Sequence, residues 1–124
     1  GSKASEEIQY STGWIYANSK TVVNYLNANP NDMETHRKVI DTIEKAPLGA
    51  DTIINSYASV LNVLNPALVE SYFNSLSAAK KSQVRSAYQS RKAASKKYSF
   101  PELENILAKG ARGGNWTITK NVKP

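Results

Sequence analysis

Seven lysines and arginines and no acidic residue occupy the twenty residues from Lys80 to Ser99, KKSQVRSAYQSRKAASKKYS. Ammonium and guanidinium groups neutralise phosphates, and the interleaved serine hydroxyls and glutamine amides can hydrogen-bond phosphate oxygens. On a helix, positions 81, 85, 92 and 96 fall near one line, because steps of four, seven and four nearly complete whole turns. The spacing therefore predicts a basic row of Lys81, Arg85, Lys92 and Lys96. Lys80 and Arg91 are expected at the rim of the packing face, stems lying over apolar surface, and Lys97 extends the charge beyond the row. Val84, Ala87, Tyr88, Ser95 and Tyr98 make the inward face. A second signal is ARGGNW, where Arg112 precedes two glycines and an aromatic, a combination that suits single strands by charge and stacking. Against the phosphate reading stand plainer ones: a solvated helix face, or a linker with a docking tryptophan.

Charge is unevenly divided along the chain. Residues 1–79 carry five basic side chains against eight acidic ones, while residues 80–124 carry eleven against two, for a formal net charge of +6. Such asymmetry favours an anionic partner for the C-terminal half. The expected partner is nucleic acid, DNA or RNA, bound largely without sequence specificity. Helix-turn-helix spacing is not evident, so base-specific readout has no support. Two alternatives carry the same charge pattern. One is a self-assembling structural subunit, a coat or nucleocapsid protein of a filamentous virus, forming a homo-oligomer or filament on nucleic acid. The other is an adaptor whose basic helix docks an acidic protein. A membrane surface is not expected, since an interfacial helix needs large apolar residues opposite its charges.

Chemistry of other kinds finds few candidates. There is no cysteine, which excludes disulfides, thiolate metal sites and cysteine nucleophiles. His36 is the single histidine, on the apolar side of its segment, and is expected to be a packed residue. No phosphate-binding glycine loop, paired-histidine motif or nucleophile with a base appears. No catalytic residue, metal or cofactor is expected, and the chain does not read as an enzyme. No apolar run approaches the roughly 20 residues that span a bilayer. The chain reads as soluble, suited to cytoplasm or virion alike.

The elements that must position these side chains are helical. Asn29-Pro30-Asn31-Asp32 is a turn that caps a helix bearing Met33, His36, Ile40 and Ile43, closed by Ala46-Pro47-Leu48-Gly49. Asp51 is expected to cap a third segment, whose wide stripe of Ile53, Ile54, Tyr57, Val60, Leu61, Val63 and Leu64 predicts a central, buried helix. Asn65-Pro66 starts another with Val69, Tyr72, Phe73 and Leu76 inward. Ser77 caps the basic segment, and Ser99-Phe100-Pro101-Glu102 has the form of a capping box for the last helix, which stops at Lys109-Gly110. Ile8, Ile15, Val22 and Leu26 suit an N-terminal helix that Thr12-Gly13 is expected to break.

The fold class is therefore all-α: an irregular bundle of five or six helices with a flexible glycine-rich C-terminal tail. Gly1-Ser2 reads as a tag remnant, compatible with a native segment upstream of Lys3. Residues 3–109 form the helical domain, and residues 110–124 a tail or arm that Trp116 can order by docking.

Overall fold

The computed structural model describes residues 6–111 and Trp116. Arg112, Gly113, Gly114, the extended reading of residues 117–118 and the tail beyond lie outside the described residues. The described chain is all-helical, with seven helices: α1 (Thr12–Ala17), α2 (Ser19–Ala28), α3 (Met33–Lys45), α4 (Ala50–Val63), α5 (Pro66–Asn74), α6 (Ala78–Ala94) and α7 (Pro101–Ala108). The N-terminal stretch is divided at Asn18 rather than at Thr12-Gly13, and Ile8, expected on its helix, precedes α1 in non-helical backbone. Ser11 caps α1 by accepting the Trp14 N–H, so Thr12 and Gly13 open a helix. At Asn18 the backbone leaves helical values, and its side-chain amide bonds to the Trp14 carbonyl at 3.0 Å. An asparagine that competes for helical carbonyls is a local reason for the break.

The central stripe predicts its helix correctly. α4 packs on α2, α6, α7 and α5. Ile53, Ile54, Tyr57, Val60, Leu61 and Leu64 are all buried there. α3 packs on α5, presenting His36, Val39, Ile40 and Ile43. Caps at three helix starts are as the residue types dictate. Asp32 accepts the Thr35 N–H, Asn65 accepts from Ala67 and Leu68, and Ser77 accepts from Lys80.

Two starts differ. Asp51 is not a cap: α4 begins one residue earlier behind Gly49, and Asp51 sits in the first turn, where its charge meets the positive end of the helix. α7 does not use the capping box of Ser99 and Glu102. Its N-cap position is Phe100, and the free Glu102 and Leu103 N–H groups donate instead to Asn62 Oδ1 on α4, at 3.0 and 3.1 Å. The cap comes from the neighbouring helix, forty residues away in sequence. The chain then turns at Gly110, whose φ of +79° suits glycine, and Trp116 is buried to 8% exposure with its ring 6.2 Å from that of Tyr88.

Asn62→Ala removes the cap of α7 and is expected to cost about 1 kcal/mol, read as a lower urea midpoint at unchanged slope. Ser99→Ala is expected to stay within about 0.5 kcal/mol of the parent; equal losses for both would restore the local capping box.

Candidate nucleic-acid interface

α6 carries the basic segment, and its orientation decides what each cation can do. Val84 and Tyr88 face the core, and this rotation takes Arg85 with them. Arg85 is only 7% exposed. Its Nε donates to the Leu107 carbonyl at 2.7 Å and its Nη2 to the Lys109 carbonyl at 3.0 Å. These are the free carbonyls at the end of α7, which a fixed guanidinium fork satisfies pairwise. The guanidinium also lies 5.1 Å from the Phe73 ring centroid, and burial lowers its pKa.

Lys92 is drawn inward one face-repeat later. Its ammonium meets Glu104 Oε2 at 2.5 Å, and the Glu104 side chain is 0% exposed. The Tyr88 hydroxyl donates to the same carboxylate oxygen at 2.6 Å and accepts the Phe100 N–H at 2.8 Å. Burial first, then the bond to Glu104, pushes the Tyr88 hydroxyl well above the usual phenol range. Burial likewise pushes Tyr98 up to about 12, against the opposing influence of Arg91, and Tyr72 up to about 12.

The predicted row of Lys81, Arg85, Lys92 and Lys96 is thus not a surface row. Arg85 and Lys92 serve the interior. Lys96 is not on the helix at all, because α6 ends at Ala94 and Ser95 takes an extended backbone. The turn has to end the helix there so that the Tyr98 hydroxyl can reach the Ile54 carbonyl at 2.9 Å. Ser95, placed on the inward face by spacing, is exposed for the same reason. Lys80 donates to the Leu48 carbonyl, and Arg91 holds its guanidinium 5.0 Å from the Tyr98 ring centroid while remaining exposed. Both flank the packing face, as their spacing predicts.

Besides Arg91, what faces water on α6 is an uncharged strip of Ala79, Gln83, Ser86, Ser90, Ala93 and Ala94. Between this strip and α4 runs an open groove of about 810 Å³. Asp51, Thr52 and Asn55 line one wall, Ser82, Ser86 and Ser90 the other, and Arg91 closes one end, so the groove carries one carboxylate and one guanidinium. Beyond Arg91 the exposed Lys96 and Lys97 continue in the α6–α7 turn, and half-buried Lys81 sits at the start of the helix. Among the described residues, the side chains of Lys81, Lys96 and Lys97 make no hydrogen bond or ion pair. Of the eight residues singled out by sequence, the structure brings Arg91, Lys96 and Lys97 to one end of α6 and leaves Arg112 outside the described residues.

Sequence reasoning missed Glu104, which lies between Leu103 and Ile106 on the inner face of α7. A lone acid in an apolar stripe is the signal, since such a group needs an internal cation. His36 is buried, with Nε2 3.1 Å from the Asn29 carbonyl and Nδ1 accepting the Asn65 N–H at 3.0 Å. Both ring nitrogens are committed to backbone. Among the described residues no cluster of three histidines, cysteines or carboxylates could hold a metal ion, and no helix is long and apolar enough to cross a membrane.

Lys92→Met strands the buried carboxylate and is expected to cost about 3–5 kcal/mol, with most of it regained in the Lys92→Met, Glu104→Leu double variant. Lys96→Met is expected within about 0.5 kcal/mol. A full cost at Lys96 and none at Lys92, in denaturant unfolding, would reverse the assignment. Alkali gives a separate check. Tyr72 and Tyr98 ionise later when folded than the ordinary phenol value of 10.0, so the unfolded chain releases their protons first. Stability is then constant with respect to these groups below pH 10 and falls between about pH 10 and 12, as measured by melting temperature across that range. No protein-family model, curated protein or solved structure matches this chain.

Proposed function

We propose that the protein binds nucleic acid through the end of α6 and the α6–α7 turn, by phosphate contact without base readout. The observation that carries this reading is the exposure of Arg91, Lys96 and Lys97 within seven residues, in a stretch from Ser71 to Pro101 that has no acidic residue. Their ammonium and guanidinium groups would displace condensed counterions from a phosphate backbone. Ser86, Ser90 and Asn55 of the adjoining groove add neutral donors, which position a backbone without reading sequence, while Asp51 in the same lining opposes phosphate and confines the contact to the Arg91 end. Arg85 and Lys92 contribute nothing directly, since their charges are engaged inside the molecule, and half-buried Lys80 is tied to the Leu48 carbonyl away from the turn. The footprint is therefore small. Three or four cations give a modest, salt-sensitive affinity, of the kind that becomes useful when many copies bind side by side.

The test is a gel-shift titration with single- and double-stranded probes at two salt concentrations. Replacing Arg91, Lys96 and Lys97 with glutamine is expected to weaken binding and to lower the log–log salt slope by about 0.7–0.9 for each phosphate no longer neutralised. Arg85→Gln is unsuitable as a control for binding because it acts on folding. Unchanged binding of the triple variant in low salt would remove the α6–α7 turn from the interface. No binding by the parent chain would transfer the turn to an acidic protein or another copy.

A further inference from the structure

The segment before α1 holds an aromatic ring outward. Ile8 is buried and anchors one end of this segment, while the Tyr57 hydroxyl donates to the Thr12 carbonyl at 2.9 Å and fixes the other. Tyr10 lies between the two anchors and is 38% exposed. Its ring forms one wall of an open cavity of about 590 Å³, whose other lining includes Thr12 and the Lys38, Asp41, Thr42 and Lys45 side of α3. This volume lies within the roughly 300–1,000 Å³ typical of small-ligand sites. Lys38 and Lys45 are two helical turns apart, about 10.5 Å along the axis. Lys38 stands 5.5 Å from the Tyr10 ring centroid and pairs with Glu34 at 3.2 Å. Lys45 makes no ion pair among the described residues.

We infer that this cavity is a binding site for a mononucleotide, with the base on Tyr10, the sugar against Asp41 and the threonines, and the phosphate on Lys45. Each part of the ligand has its matching group. An aromatic plate held by its flanking backbone stacks any base at little cost in order. A carboxylate accepts hydrogen bonds from sugar hydroxyls or exocyclic amines but repels phosphate, so Asp41 favours a ligand with its charge at one end. A polymer is disfavoured here. In the cavity lining Asp41 opposes phosphate and Lys38 is paired with Glu34, so Lys45 is left to meet a single phosphate. The site is distinct from the α6–α7 turn and does not rest on its function.

The test is titration of the isotope-labelled full chain with adenosine monophosphate, adenosine and inorganic phosphate, followed by NMR. Saturable shifts of the Tyr10, Thr42 and Lys45 amides are expected with the monophosphate, with adenosine and phosphate each binding more weakly. Tyr10→Ala is expected to weaken binding about tenfold, Tyr10→Phe to retain it, and Lys45→Gln to weaken it and flatten its salt dependence. The Arg91, Lys96 and Lys97 triple variant should bind the monophosphate as the parent does, which separates this site from the nucleic-acid interface. Absence of saturable shifts, inorganic phosphate binding as well as the nucleotide, equal affinity of the Tyr10→Ala chain, or shifts centred on Arg91–Lys97 would each overturn the proposal.

Discussion

A single carboxylate taken out of water governs much of this structure. Glu104 is buried on the inner face of α7 and takes a hydrogen bond from Tyr88 and an ion pair from Lys92, both on α6. A charge so placed is tolerated only with its partners in contact. The register and rotation of α6 against α7 are therefore fixed by three side chains. With Tyr88 and Lys92 turned inward, the serine and alanine strip must turn outward. The most basic helix of the protein consequently turns an uncharged strip to water, with Arg91 exposed near its end and Lys81 half-buried near its start.

α7 illustrates how a short helix is held by its surroundings. Eight residues are too few to form a stable helix alone. Its first N–H groups are satisfied by Asn62 on α4 and its last carbonyls by Arg85 on α6, while Leu103, Ile106 and Leu107 supply the apolar contact. The backbone groups that a helix leaves open at both ends are closed here by the two helices it packs against. Arg85 is thus a structural counterpart of Asn62, working at the opposite end.

Local rules were readable from sequence where cause and effect are neighbours. The Asp32, Asn65 and Ser77 caps each act within three residues, and the wide stripe of α4 predicts its central place because burial on several sides requires it. The cap from Asn62 and the anchoring of Arg85 span 40 and 22 residues, and no periodicity signals them. Charge misled for a related reason. A count of cations fixes how many there are but not which way they point, and a helical wheel presumes a helix length that the Ser95 turn cuts short.

The imidazole of His36 joins two turns of the same kind. One nitrogen meets the carbonyl of Asn29, which precedes Pro30, and the other takes the N–H of Asn65, which precedes Pro66. Such a bridge needs a donor on one edge of a small ring and an acceptor on another. Asparagine and glutamine present both groups at a single tip, and no other side chain offers them on separate edges of a five-membered ring. The position therefore behaves as a rivet with one admissible shape: it fixes the ring tautomer, and the spacing between two Asn-Pro junctions becomes a property of one side chain's geometry.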